Sequence, residues 1–108
     1  MQNQNEAAHD EMRRAAELAP EDAEIRNDLG AALVRLGKIP EAIHEFHEAL
    51  RLNPNNAAAH ANLGSVLLAS GKAQESIPEF EAALRLDPKS KAADDGLRQA
   101  QAQLSSQR

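Results

Sequence analysis

The most constraining feature of this sequence is an internal repeat of 34 residues. Residues 23–56 are followed without a gap by a similar segment, residues 57–90, and 15 of the 34 aligned positions are identical. The identical pairs include most of the large apolar residues, four glycines and two prolines: Leu29/Leu63, Gly30/Gly64, Leu33/Leu67, Gly37/Gly71, Ile43/Ile77, Phe46/Phe80, Ala49/Ala83, Leu50/Leu84 and Pro54/Pro88. A repeat of this length is one supersecondary unit that buries its apolar face against its neighbours. The sequence therefore predicts stacked units and not a closed globule.

Each repeat contains two apolar stripes with helical spacing. In the first repeat, one stripe runs over residues 25–36 and the other over residues 43–52. Gly37 interrupts the pattern between the stripes, and Pro54 follows the second one. Apolar residues that recur every three or four positions predict an amphipathic helix, and glycine and proline mark its ends. Each repeat is thus predicted to be a helical hairpin.

Local signals refine these helices. Asp22, Asn56 and Ser90 precede three predicted helices and are expected to cap them, because their side chains can accept hydrogen bonds from free backbone N–H groups. Pro78 falls within the helix predicted from about Gln74 onwards. Proline lacks the backbone donor and disfavours a helical residue before it, so we expect a kink or a late helix start there.

The two flanks are predicted to be incomplete repeats. Residues 6–19 correspond to the second helix of a repeat, and residues 91–104 correspond to a first helix with a polar outer side, as in a terminal cap. The first correspondence rests on residues 34 positions apart: Ala8, Met12 and Ala15 against Ala42, Phe46 and Ala49. We expect about six helices in a single domain over residues 6–104, with a disordered N-terminal tail at residues 1–5 and a C-terminal tail at residues 105–108.

Charge and hydropathy argue against several classes of partner. The net charge of -5 disfavours DNA or RNA, since binding to the phosphate backbone depends on Lys and Arg. No segment approaches the roughly 18 apolar residues of a membrane span. Residues 1–6 lack the basic and apolar regions of a secretory signal. We expect a soluble protein without membrane insertion, with the cytoplasm slightly favoured, although a chain without cysteine fits either redox compartment.

The sequence also predicts no catalytic, metal or cofactor site. His44 and His47 share one helical face with Glu41 and Glu48 nearby, but two histidines without a third histidine or a CxxC or HExxH motif do not make a closed metal site. His60 is expected to be half-buried and to have a packing role. Because no nucleophile, base and orienting group occur at motif spacing, we expect a protein that is not an enzyme.

The repeat resembles the tetratricopeptide repeat, whose pattern is W-x2-L-G-x2-Y, then A-x3-F, then P. The matching residues occur twice: Arg26, Leu29, Gly30, Leu33, Ala42, Phe46 and Pro54, and then His60, Leu63, Gly64, Leu67, Ser76, Phe80 and Pro88. The departures at the Trp, Tyr and Ala positions are tolerated in this degenerate family. The resemblance covers residues 6–104 and implies an all-α fold, a right-handed α-solenoid of antiparallel helical hairpins.

The resemblance further implies a non-catalytic protein-interaction module that holds a peptide or a partner helix in a concave groove lined by the first helix of each hairpin. Fourteen residues are expected to line this groove: Glu24, Asn27, Asp28, Ala31, Val34, Arg35, Ala58, Ala61, Asn62, Ser65, Leu68, Ala69, Asp95 and Gln99. Their small and apolar character, with carboxylates around it, favours an apolar segment that carries some positive charge. The alternative is that the alanines only fill solvated helix surface.

Some members of this family grip the C-terminal carboxylate of heat-shock chaperones with Lys, Arg and Asn residues. Asn62 matches one such Asn. Asn27 and Ala31 stand where the first hairpin would supply Lys and Asn, and Ala92 and Gly96 stand where the third would supply Lys and Arg. Binding to chaperone tails is therefore disfavoured.

A second class of function is self-assembly. The half repeat lacks the partner helix that a full repeat would provide, so terminal helices could pair between copies in a homo-oligomer.

Overall fold

The computed structural model describes the backbone of residues 2–107 and the side chains of residues 4–107. The described residues form six α-helices and no strand: α1 (Gln2–Leu18), α2 (Ala23–Arg35), α3 (Ile39–Leu52), α4 (Ala57–Ala69), α5 (Ala73–Leu86) and α6 (Lys91–Ser106). The predicted number and order of helices are confirmed.

The chain divides after Pro54 into two compact units. In the first unit α2 packs against both α1 and α3, and in the second unit α5 packs against both α4 and α6. In the second unit α4 also packs against α6. The single domain over residues 6–104 stays a prediction.

Three helices begin at the capping residues predicted from the sequence. The Asp22 carboxylate accepts hydrogen bonds from the backbone N–H groups of Glu24 and Ile25 at 3.0 and 3.2 Å. Asn56 and Ser90 each accept one bond from the backbone N–H three residues further on, at 3.1 and 3.2 Å. These bonds satisfy donors that have no partner inside the helix, which fixes where α2, α4 and α6 start.

A glycine turn closes each of the two hairpins. Gly37 has φ 78° and Gly71 has φ 81°, a backbone conformation that side chains with a Cβ disfavour. In the first turn the Lys38 N–H donates to the Leu33 carbonyl at 2.9 Å, which satisfies a free carbonyl at the end of α2. The second turn repeats this bond at 2.8 Å. The same local chemistry therefore reverses the chain in both repeats.

Each hairpin has one buried phenylalanine in its core, together with buried leucines and alanines. Phe46 is 1% exposed and Phe80 is fully buried. A Cβ added to Gly30 would lie 2.6 Å from Cε1 of Phe46, and one added to Gly64 would lie 2.9 Å from Cε1 of Phe80. Since carbon atoms in normal contact are about 3.5 to 4.0 Å apart, only glycine allows the first helix of each hairpin to lie this close to the ring.

Helix α1 corresponds to the second helix of a repeat, and its repeat-equivalent core positions are less buried than those of α3. Ala8, Met12 and Ala15 are each partly exposed on α1. Their equivalents 34 residues later, Ala42, Phe46 and Ala49, are all buried. The face of α1 that corresponds to the buried face of α3 is thus partly open to solvent.

Three boundaries differ from the sequence predictions. Residues 2–5, expected to be disordered, form the first turn of α1, because they contain neither proline nor glycine and continue the helix-forming segment that follows. Residues 105–106, expected in the C-terminal tail, extend α6 to Ser106. The late start expected from Pro78 is wrong, since α5 already begins at Ala73.

Packing explains why α5 accepts Pro78. The proline is the sixth residue of the helix and is exposed, so its ring faces solvent. On the buried side, the Ser76 hydroxyl is fully buried and donates to the Ala73 carbonyl at 2.7 Å, and Phe80 lies one turn further on. Burial of this face offsets the backbone bond that proline cannot make.

Candidate functional site

In the second unit, small side chains on α4 and α6 leave a cavity of about 260 Å³ between these two helices. Its lining comes from three elements: Ser65, Leu68 and Ala69 on α4, Ala92, Asp95, Gly96 and Gln99 on α6, and Phe80 on α5. Most of this lining is apolar, with polar groups from Ser65, Asp95 and Gln99. A concave, largely apolar site with a few polar groups is the usual form of a ligand pocket.

The shape of this cavity depends on the contact between α6 and Phe80. A Cβ added to Gly96 would lie 2.3 Å from Cζ of the ring and 2.4 Å from Cε1. Phe80 itself is fully buried, so it lies beneath the cavity and supports the surface residues above it. The glycine lets α6 settle directly onto the ring, and the cavity opens beside this contact.

Among the lining residues, Asp95 alone carries a charge at neutral pH. Its carboxylate lies 3.2 Å from Nζ of Lys91, and the two side chains are 47% and 87% exposed. An ion pair this exposed contributes little and is easily exchanged. Helix α4 contains no Asp, Glu, Lys or Arg. The electrostatic character of the cavity is therefore weakly acidic.

Five of the fourteen residues expected in the groove lie together in this cavity: Ser65, Leu68, Ala69, Asp95 and Gln99. Ala58, Ala61 and Asn62 lie on α4 outside its lining. Ala92 and Gly96 also line the cavity but are not among the fourteen expected groove residues, although the resemblance places them where some family members carry the gripping Lys and Arg. The signal was available, because residues 92, 95, 96 and 99 follow the three- and four-residue spacing of a single helical face.

The other expected groove residues are on α2 in the first unit: Glu24, Asn27, Asp28, Ala31, Val34 and Arg35. Glu24, Asp28 and Arg35 are exposed, and the other three are partly exposed. None of them lines the cleft between α1, α2 and α3 in the first unit. Their role in binding stays a prediction.

The first unit has a larger cleft that sequence analysis missed. It measures about 460 Å³ and lies where α1 and α3 flank α2, with Ala16, Leu29 and Leu33 among its lining residues. The Arg26 guanidinium donates to the Glu45 carboxylate at 3.0 Å inside this cleft, and the two side chains are 22% and 14% exposed. Together with Arg13, Glu17, Lys38 and Glu41, these groups give the cleft a balanced charge.

An equivalent pair joins the two helices of the second hairpin. His60 Nδ1 lies 2.9 Å from the Glu79 carboxylate, and both residues stand 34 positions after Arg26 and Glu45. The His60 side chain is 17% exposed, in accordance with the half-buried packing role expected from the sequence. In both hairpins the residue at the tryptophan position of the repeat thus pairs with a glutamate of the second helix.

Two other kinds of site have no candidate among the described residues. Among residues 4–107, no group of three or more His, Cys, Asp or Glu side chains could hold a metal ion, and His44 and His47 are exposed. In the described part of the chain, no helix has the length and apolar character that crossing a membrane requires.

Comparison with protein families matches the tetratricopeptide repeat at residues 2–45 and 27–91. Comparison with curated proteins gives no match. Among solved structures, the first such domain of Spaghetti (RPAP3), bound to the HSP90 peptide SRMEEVD, has a TM-score of 0.91 at 24% identity, over 96% of this chain and 82% of that one. The TPR2B domain of yeast Sti1, in a complex with pHsp70, has a TM-score of 0.87 at 23% identity, over 94% and 86% of the two chains.

A third similar structure, a mutant O-GlcNAc transferase from Thermobaculum terrenum, has a TM-score of 0.84 at 31% identity. It aligns with 92% of this chain, but this chain covers only 19% of that protein. The all-α fold of repeated helical hairpins expected from the sequence is confirmed by these similarities. The chain belongs to the tetratricopeptide repeat family, whose domains are protein–protein interaction modules.

Proposed function

We propose that this chain is a non-catalytic interaction module that binds a peptide or a partner helix in the groove between α4 and α6. The observation that carries the proposal is the cavity itself, since five of the groove residues implied by the family resemblance lie together in one mostly apolar depression. The similar Spaghetti domain is bound to an HSP90 peptide and the similar Sti1 domain is in a complex with pHsp70, which supports a peptide as the class of ligand.

The geometry favours binding without a large ordering cost. Helices α4 and α6 are packed against each other and share α5 as a support, so the groove exists before any ligand arrives. A preformed groove loses less conformational entropy on binding than a flexible one, so more of the contact energy is available for affinity. The Ser65 hydroxyl and the Gln99 amide can each donate and accept hydrogen bonds, which suits the backbone of an extended peptide.

The experiment is a selection of random dodecapeptides displayed on phage against the intact protein, followed by affinity measurements with synthetic copies. Ser65→Arg places a long side chain in the groove and should abolish binding of the selected peptides. Ser105→Arg makes the same change at an exposed position of α6 away from the cavity and should leave binding intact. If no peptide is enriched, or if both variants bind equally well, the proposed function is wrong.

A further inference from the structure

We propose that the cavity between α4 and α6 is an anchor pocket for one apolar side chain of a peptide that carries a basic residue close to that anchor. This inference rests on the proposed function and specifies the chemistry of the partner. It predicts a preference opposite to that for an acidic tail such as SRMEEVD, the peptide bound by the similar Spaghetti domain.

The apolar part of the argument comes from the surface that a ligand would touch. Leu68 is partly exposed, Ala69 and Ala92 are exposed, and all three line the cavity. Phe80 lies beneath them and holds the depression open from below. A ligand side chain that covers these residues removes apolar surface from water on both partners, which favours an aliphatic or aromatic side chain.

The volume limits how much can enter. An apolar cavity of about 150 Å³ is known to accommodate one benzene molecule. The present cavity, at about 260 Å³, is less than twice that volume, which is enough for one leucine- or phenylalanine-sized side chain but not for two aromatic rings. A single anchor residue, flanked by extended backbone, is the occupant that fits.

The charge part of the argument comes from Asp95. Its carboxylate is about half exposed on the cavity wall, and its partner Lys91 is 87% exposed and can turn into solvent. Among the residues that the structure describes, no Lys or Arg lines the cavity. A basic ligand residue can therefore pair with Asp95, whereas a ligand carboxylate would approach Asp95 without any lining cation to compensate, a repulsion that sets specificity.

The phage-displayed dodecapeptide library is the probe for this inference as well. We expect the enriched sequences to share one apolar residue with Lys or Arg within a few positions of it. Enrichment of Asp and Glu instead would overturn the inference and leave the proposed function standing. A lack of any enrichment would overturn the proposed function itself, so the two failures are distinguishable.

Two pairs of variants locate the binding. Ala92→Gln extends a neutral side chain over the pocket and should weaken the selected peptides by roughly 10-fold or more, because the anchor loses its burial. Ala102→Gln makes the same change at an exposed position of the same helix outside the cavity, and it should change the affinity less than twofold. Equal effects of the two variants would place the anchor elsewhere and overturn the inference.

The second pair isolates the charge. Asp95→Asn should weaken basic peptides by about two- to fivefold, as expected for an exposed ion pair, and should leave peptides with the basic residue replaced unaffected. Asp94→Asn is a close control, since Asp94 has similar exposure, 46%, and its own ion pair with Arg98 at 3.3 Å but does not line the cavity. If Asp94→Asn has the larger effect, the assignment of Asp95 is wrong.

Discussion

Adding a methyl group at the glycines that face a phenylalanine ring should destabilise the protein in a defined order. A Cβ would lie 2.3 Å from the nearest ring atom at Gly96, 2.6 Å at Gly30 and 2.9 Å at Gly64. All three lie inside normal van der Waals contact, and the overlap decreases in that order. We therefore expect Gly96→Ala to be the most damaging of the three substitutions and Gly64→Ala the least.

The change in the free energy of unfolding is the difference between two opposing effects. Replacing glycine by alanine inside a helix stabilises it by about 0.5 to 1 kcal/mol, because the unfolded chain has less backbone freedom to lose. Overpacking a tight core costs about 1 to 3 kcal/mol. The ring of Phe80 is approached from α6 by Gly96 and from α4 by Gly64, so it cannot move away freely from either helix. The net loss for Gly96→Ala should be about 0.5 to 2 kcal/mol, and that for Gly64→Ala should be close to zero.

The assay is urea unfolding followed by far-ultraviolet circular dichroism, since the chain has neither Trp nor Tyr to serve as a fluorescence probe. Phe80→Leu removes the ring and serves in a double-mutant cycle. In this background Gly96→Ala should lose most of its cost, with a coupling energy of about 0.5 to 2 kcal/mol. A stabilising Gly96→Ala, or an unchanged cost when the ring is absent, would refute the argument from ring contact.

Three further predictions concern the backbone and one surface pair. Pro78→Ala should stabilise the protein by about 1 to 3 kcal/mol, because it restores an amide donor at an exposed position within α5. An unchanged urea midpoint would show that the restored N–H group forms no stabilising hydrogen bond in α5. Gly71→Ala should destabilise the protein by about 1 to 2 kcal/mol through backbone strain alone, since φ is 81° and no atom lies within 4 Å of the added methyl group. Urea unfolding checks this prediction, and an unchanged free energy of unfolding would contradict it. The hydrogen bond from Arg51 holds the pKa of Glu48 below its ordinary value. The pair therefore stabilises the folded state at pH values above the unfolded-state pKa of Glu48. This stabilisation is lost as the pH falls through the folded-state pKa, where the carboxylate becomes protonated. A carboxyl ¹³C NMR titration should show this pKa rising in Arg51→Gln, and an unchanged titration curve would disprove the assignment.

The helices and their boundaries could be predicted where short-range chemistry decides them. Asp22, Asn56 and Ser90 act as caps because their side chains reach donors two or three residues away, and Gly37 and Gly71 turn the chain because of their own conformational freedom. The repeat register then placed both phenylalanines in the core. The start of α1 could not be predicted in this way, because Asn3 and Asn5 could each cap a helix and no proline or glycine among residues 2–5 decides between them.

The candidate site could be predicted only in part, since it depends on distances between helices. The family resemblance identified the α4 side chains Ser65 and Leu68, which line the cavity. It could not show that Gly96 lets α6 rest on Phe80, because that contact joins residues on different helices. The pair of Arg26 with Glu45 was also missed, although the identity of Glu45 and Glu79 across the repeat was a signal that a partner stood opposite.

The abundance of alanine in the interior has a consequence for how this protein can change. Seven of the fully buried positions are alanines: Ala32, Ala42, Ala49, Ala59, Ala83, Ala93 and Ala100. Trimming such a position removes a single methyl group, whereas enlarging it pushes two helices apart along their whole contact. At these buried positions, tolerated substitutions should therefore be limited to Ala, Gly and Ser. New binding preferences should arise at exposed positions of α4 and α6, where a larger side chain extends into solvent.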